Sequence, residues 1–260
     1  MTAPVLIKVG GALLENAAAL DALFGQLASI QQSRPVMVIH GGGVVVEKQL
    51  AAMGMKSEKK NGLRITPPDQ MAVITGALAG TSNKQLLACG LKSGLKAVGL
   101  CIGDAFTVDA QIMDPELGCV GYCKEDGSEG DADLLKLLVG AGYTPIISSI
   151  AVSKEGQLLN VNADQAALAL CQLLNAELVL LSDVDGILDG QGQLIAEIDQ
   201  AKADQLVADG VITDGMAVKV QAALSAARTL GRSIAVASWR HPEKLEDLLA
   251  GGAVGTRVLG

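Results

Sequence analysis

Two short apolar segments near the start of the chain each run directly into glycines: Val5-Leu6-Ile7-Lys8-Val9 meets Gly10-Gly11, and Val36-Met37-Val38-Ile39-His40 meets Gly41-Gly42-Gly43. Between them Leu20, Leu23, Phe24, Leu27 and Ile30 recur at helical spacing, so strand, turn, helix and strand follow in sequence. Parallel neighbours need such a crossover, and the pattern predicts a βαβ unit. A glycine turn lets backbone N–H groups approach a ligand, and a following helix adds its positive end. That suits a bound anion, with Lys8 supplying the one full charge. Either turn alone reads better as an ordinary βα connection, with Lys8 snorkelling from an edge strand; the weight lies in having two at equivalent places.

Half of the 260 residues are hydrophobic but only 2% are aromatic. The core must therefore be built from Ala, Val, Leu and Ile, the usual filling of a parallel sheet covered on both faces. The length suits one large domain or two lobes. A net charge of −8 repels phosphate backbones and anionic lipid, which argues against nucleic acid or a membrane as partner. The five cysteines form no CxxC pair and are odd in number, which favours a reduced compartment. Cys119 and Cys123 have no histidine near them in sequence, so small buried hydrophobes fit better than zinc ligands. The first predicted strand begins without a basic segment and cleavage site before it, and no apolar run approaches the roughly 20 residues that span a bilayer. The expectation is a cytoplasmic protein.

Further along, residues 44–52 read as a helix and Lys56 to Ile65 as a hairpin turning at Asn61-Gly62. Pro67-Pro68 opens a helix predicted to run to about residue 92. Its Gly76 and Gly80 would let another backbone approach, from a second subunit or from the chain's own sheet. A strand at Lys96–Ile102, a looped hairpin over 105–124, a solvated loop at 125–131, a helix at 131–140 and a strand at Thr144–Ser148 follow. Asn162 then caps a helix, with Gln165 at the capping-box position, and Glu177–Ser182 reads as a strand. Asp185-Gly186 and Gly190-Gln191-Gly192 mark turns; helices at 200–209 and 214–230 and strands at 233–237 and 256–259 complete the chain. The predicted architecture is a three-layer αβα sandwich around one mainly parallel sheet. Two lobes, residues 1–175 and 176–260, share that sheet.

Four stretches join functional side chains to glycine or capping turns: Lys8 with Gly10-Gly11, the Gly41–Gly43 run, Asn160 to Asp164, and Thr213 to Lys219. With Asp214 read as an N-cap, Lys219 emerges about a turn and a half into its helix and can reach past the N-terminus. Taken alone it is an ordinary surface lysine. Asn160, Asn162 and Asp164 share parity. Asp164 is a first-turn acid that the helix dipole favours, and it can also hold lysine ammoniums by charge-assisted hydrogen bonds. Arg64, after Asn61-Gly62-Leu63, can grip a carboxylate with two N–H groups or form a rim ion pair of little energetic weight.

Six segments in one order, Lys8-Val9-Gly10-Gly11, His40-Gly41-Gly42-Gly43, Asn61-Gly62-Leu63-Arg64, Asn160-Val161-Asn162-Ala163-Asp164, Leu181 to Leu188 and Gly215-Met216-Ala217-Val218-Lys219, resemble the amino-acid kinase superfamily. The likeness spans residues 4–259 and is strongest to the branch that phosphorylates N-acetyl-L-glutamate. It implies the amino-acid kinase fold, with Lys8 and Lys219 stabilising the transferring phosphoryl group and Asp164 orienting them. It further implies that Gly42, Gly43, Arg64 and Asn160 hold the acylated amino acid. Gly11, Asp183, Val184, Asp185, Gly186, Ile187, Leu188, Val211, Ile212 and Thr213 would bind ATP. Mg²⁺ would be carried mainly by the nucleotide, so no side chain is assigned to a metal. Asp214 stands where many relatives have glycine, and Pro67-Pro68 replaces a more polar helix start.

The implied reaction is ATP-dependent phosphorylation of the γ-carboxylate of N-acetyl-L-glutamate in arginine biosynthesis. A rival is the same chemistry on N-acetyl-α-aminoadipate, since one methylene changes binding by only about 1–3 kcal/mol. A nucleotide-binding sensor without catalysis is a second rival, opposed by the presence of Lys8, Asp164 and Lys219 together. A dinucleotide-dependent dehydrogenase ranks below both, because neither glycine cluster fits GxGxxG. The family includes arginine-inhibited hexamers with an extra N-terminal helix. This chain starts almost at its first strand, so the expectation is a homodimer without arginine feedback.

Overall fold

The computed structural model describes residues 3–60, 63–124, 127 and 130–260. Fourteen strands lie among them: β1 (Val5–Val9), β2 (Val36–His40), β3 (Lys59–Lys60), β4 (Leu63–Arg64), β5 (Ala97–Cys101), β6 (Ala110–Ile112), β7 (Val120–Cys123), β8 (Thr144–Ser148), β9 (Ile150–Val152), β10 (Leu158–Val161), β11 (Glu177–Ser182), β12 (Glu197–Ile198), β13 (Ile234–Ser238) and β14 (Thr256–Val258). Eight of them form the central sheet in the order β12-β14-β13-β11-β1-β2-β8-β5. Every neighbouring pair in it is parallel except β13 with β14. The first strand of the chain thus sits mid-sheet, between β2 and β11.

The α-helices among the described residues, α1 (Gly11–Leu14), α2 (Ala17–Ile30), α3 (Gly43–Ala52), α4 (Pro68–Thr75), α5 (Asn83–Lys92), α6 (Asp133–Gly140), α7 (Ala163–Leu174), α8 (Gln200–Ala208), α9 (Asp214–Leu230) and α10 (Leu245–Leu249), lie on both faces, as an aliphatic parallel sheet requires. Alternate residues of β1 point to opposite layers. Val5, Ile7 and Val9 pack into the core that holds Leu20, Leu23, Phe24, Leu27 and Ile30 of the helix Ala17–Ile30, while Leu6 packs into the opposite core. That opposite core contains α7 (Ala163–Leu174) and α9 (Asp214–Leu230) through Ala166, Leu170, Val220 and Leu224. Each fully buried leucine on these faces contributes about 1.5–3 kcal/mol. Lys8 has the parity of Leu6, so the strand's one cation faces the layer of α7 and α9.

The helix that opens at Pro67-Pro68 does run to Lys92, but not as uniform α-helix. It is α helical over Pro68–Thr75 and Asn83–Lys92, with a π-helical segment, Gly76–Ser82, between. The wider turn brings Leu78 and Ser82 against Gly42, where an added Cβ would lie 2.7 Å from Ser82 Oγ and 2.9 Å from Leu78 Cδ2. A second sheet, β6-β7-β10-β9, joins the hairpin of residues 110–123 to the strand that enters α7. Strands β9 and β10 are additions to the sequence reading: segments of three and four residues carry too little alternation to register. The two-stranded hairpin β3-β4 pairs Lys59 with Arg64, and its predicted Asn61-Gly62 turn lies outside the described residues, as does most of the 125–131 loop.

Candidate functional site

Lys8 Nζ lies 2.7 Å from Asp164 Oδ1, with the lysine side chain mostly buried and the carboxylate half exposed. Local rules place Asp164: Asn162 caps α7, its Oδ1 accepting from the N–H groups of Asp164 and Gln165 at 2.8 and 3.3 Å. The reciprocal capping-box bond is replaced, because Gln165 Oε1 accepts from the Cys123 N–H. Lys8 is in register with Leu180 of β11, and Leu180 with Val236 of β13. These side chains, with Leu178, Ile187 and Met216, line a cavity of about 550 Å³ that also takes in Lys8, Asp164 and Lys219. An apolar floor under a cationic rim suits a flat heterocycle attached to a polyphosphate.

Lys219 enters this cavity from the second turn of α9, whose N-cap is Thr213 rather than Asp214. Its partner is Asp183, directly after β11: Nζ to Oδ1 is 3.0 Å. That ammonium, with help from the backbone and Ser182, holds the Asp183 carboxyl below its ordinary range. Of the two lysines that Asp164 is expected to orient, it pairs here with Lys8, while Lys219 pairs with Asp183. Nothing in the sequence marks the Lys219–Asp183 pair, since it depends on β11 lying beside β13, the strand that follows α9. Of the residues expected at the nucleotide, Val184, Gly186 and Ile187 line the cavity, whereas Asp183, Asp185, Leu188, Val211, Ile212, Thr213 and Gly11 stand outside its wall, Asp183 reaching it through Lys219. Ile212 is instead buried in the core beneath α9.

The two glycine turns meet. An added Cβ on Gly11 would sit 3.5 Å from Val44 Cγ2 and 3.7 Å from Gly43 N, and one on Gly41 would touch Ala163 Cβ at 3.5 Å. Gly41 to Gly43 line a smaller cavity of about 220 Å³ together with Arg64, Asn160 and Ser149. Asn162 and Leu63 line both cavities, so the two adjoin. All four residues expected to hold the acylated amino acid are thus in the smaller one. Asn160 Nδ2 donates to Thr66 Oγ1 at 3.1 Å. Arg64 is engaged by the protein itself: Nη1 lies 2.9 Å from Glu47 Oε1 and Nη2 donates to the Gly43 carbonyl at 3.2 Å.

His40 ends β2 directly before the glycines and is fully buried. Its Nδ1–H donates to the Gly41 carbonyl at 2.8 Å, and Nε2 accepts from Asn83 Nδ2 at 3.1 Å. The same Asn83 amide also donates to the Ile146 carbonyl at 2.8 Å. Burial lowers the imidazole pKa to about 4, against the pull of the Gly41 carbonyl. A neutral ring with both nitrogens engaged is a strut, not a proton acceptor. Among the described residues no group of three or more His, Cys, Asp or Glu side chains could hold a metal ion.

The family model described as the amino acid kinase family matches residues 3–238. An acetylglutamate kinase from Aeromonas salmonicida is 52% identical over 256 residues, covering 98% of this chain and 97% of that protein. Another, from Yersinia pestis, is 53% identical over 260 residues and covers 99% of both. Among solved structures, smu.665 from Streptococcus mutans superposes with a TM-score of 0.79 at 25% identity, over 100% of this chain and 99% of the other.

Proposed function

The chain belongs to the amino acid kinase family, and we propose that it transfers the γ-phosphoryl group of ATP to the γ-carboxylate of N-acetyl-L-glutamate. The products are N-acetyl-L-glutamyl 5-phosphate and ADP, a step of arginine biosynthesis. The observation that carries this reading is identity above one half, over nearly the whole of both chains, to acetylglutamate kinases. The geometry supports it: a cationic, apolar-floored cavity adjoins a smaller one bearing Arg64, Asn160 and the glycine loop.

A side-chain carboxylate with a solution pKa of about 4.3 is already ionised at neutral pH. It needs no base, which accords with a buried, neutral His40. One carboxylate oxygen attacks the γ-phosphorus as the bond to the β–γ bridging oxygen breaks; ADP leaves with that electron pair and no proton moves. The barrier is positional and electrostatic. Lys8, set by Asp164, and Lys219, held by Asp183 until nucleotide arrives, supply the positive charge on the migrating group. The N–H groups of Gly42 and Gly43 face the acceptor, and Arg64 with Asn160 takes its other carboxylate. Mg²⁺ fits as part of the nucleotide, where it neutralises phosphate oxygens: the two carboxylates at the cavity each already hold a lysine.

In this reading residues 1–175 bind the acid and residues 176–260 the nucleotide. A homodimer through the β5 side of the sheet accords with half-exposed residues all along that end strand and with exposed Leu91 on the adjoining helix. Five free thiols accord with the cytoplasm, and no helix among the described residues is long and apolar enough to cross a membrane.

A coupled ADP-release assay across N-acetyl-L-glutamate, N-acetyl-α-aminoadipate, glutamate and aspartate tests the assignment. ADP release is expected with the first acid above all others. Preference for the longer acid would transfer the assignment to it, and ATP binding without acid-dependent release would refute catalysis. Chiral γ-phosphorus should emerge inverted; retention would exclude a single displacement.

A further inference from the structure

We propose that Glu47 is a positioning residue for the acid, acting through Arg64. The inference rests on the reading above, in which Arg64 meets a carboxylate of the substrate. Arg64 stands on β4, in a hairpin whose two strands pair only with each other among the described residues, so its side chain depends on contacts outside the hairpin for its aim. Its side chain is only 9% exposed. A guanidinium so enclosed is costly unless its donors are met.

Glu47 meets them. It stands on the helix Gly43–Ala52, one turn past the glycine loop. Its Oε1 lies 2.9 Å from Arg64 Nη1 and accepts from Ser57 Oγ at 3.3 Å, while Ser57 Oγ is itself hydrogen-bonded to Arg64 Nη1. Lys59 Nζ approaches the same oxygen at 3.8 Å. Glu47, Ser57 and the Gly43 carbonyl thus engage Nη1 and Nη2 from the protein side. Guanidinium offers five N–H donors in a rigid plane, so fixing some of them fixes the direction of the rest.

The substrate carboxylate therefore meets an arginine already oriented by a helix of the rigid body. Glu47 itself is 44% exposed and is not among the residues that line the smaller cavity, so it faces solvent behind the arginine. Its negative charge opposes a second anion on that edge, which makes Arg64 a receptor for one carboxylate. The alternative, a rim ion pair with no bearing on the ligand, predicts no change in substrate binding when Glu47 is neutralised.

The test is a double-mutant cycle on the full-length enzyme, reading KM for the acid, KM for ATP and kcat. Glu47→Gln is expected to raise KM for N-acetyl-L-glutamate about tenfold, leaving KM for ATP within twofold and kcat little altered. Glu47→Asp should recover most of the loss, because it restores the charge. In an Arg64→Lys background, Glu47→Gln should add less than twofold, since its effect passes through the guanidinium. A full tenfold increment in that background, or an unchanged or lowered KM in Glu47→Gln alone, overturns the proposal while leaving Arg64 as a substrate ligand. An Arg64→Lys enzyme with unaltered KM for the acid overturns the underlying reading and this proposal with it.

Discussion

Lys219 Nζ lies 3.0 Å from Asp183 Oδ1, so the second ammonium of the site has its own carboxylate and does not share Asp164 with Lys8. Both partners are about half exposed, and such a pair contributes less than about 1 kcal/mol to folding. Asp183→Asn should therefore leave the melting temperature nearly unchanged. It should lower kcat about tenfold, because Lys219 then lacks the group that keeps it at the cavity. Side-by-side thermal melts and steady-state kinetics check this; an unaltered kcat would make the pair incidental.

Lys8→Ala and Lys219→Ala are each expected to lower kcat by roughly 10²–10³, the usual cost of removing one donor aimed at developing charge. Nucleotide affinity, measured by calorimetry, should weaken by much less, since the interaction is greatest in the transition state. Loss of affinity equal to the loss of rate would mean that the lysines hold ATP and do little more.

Gly42→Ala would bring a methyl to 2.7 Å from Ser82 Oγ and 2.9 Å from Leu78 Cδ2. The expected cost is about 1–3 kcal/mol of stability, with a raised KM for the acid because the loop must shift. Ser82 Oγ is buried without a hydrogen-bond partner among the described residues, so Ser82→Ala alone should be close to neutral and should relieve part of the defect in the double variant. Urea unfolding of the three variants gives the answer.

His40 gives a pH prediction with a defined sign. Its pKa is about 4 in the folded protein and about 6.5 in an unfolded chain. Between those values the unfolded state binds the extra proton, so stability falls as pH drops from about 6.5 to about 4, by about 3 kcal/mol at full extent. His40→Asn keeps a donor for the Gly41 carbonyl and has no such titration. Its urea midpoint should fall less between pH 7 and pH 4.5 than that of the unaltered protein; parallel slopes would contradict the assignment.

Much of this site is legible in the amino-acid sequence. Lys8 declared itself because a cation inside Val-Leu-Ile-Lys-Val must face one layer or the other, and the capping geometry of Asn162 set Asp164 on the first turn of α7. Glycine runs after β1 and β2 located the loop, and periodicity gave the helices. What could not be read depends on adjacency between distant segments. Asp183 finds Lys219 only because β11 lies beside β13, the strand that follows α9, and Glu47 reaches Arg64 only because a hairpin folds over its helix. The π-helical segment was hidden for a different reason: Gly76-Ala77-Leu78-Ala79-Gly80 has small residues compatible with either helical winding, and the choice is made by what packs against it.

The central place of β1 orders events during synthesis. Strand β1 precedes β2 in the chain and can pair with it early, but its other edge must wait for β11, and Lys8 must wait for Asp164. A nascent or truncated chain ending before those segments therefore exposes an apolar strand edge and has no means of binding or turning over nucleotide. Because Lys219 lies on α9, far along the chain from Lys8, both ammoniums are in place only once α9 has joined the fold, which makes competence to turn over nucleotide a late event in folding.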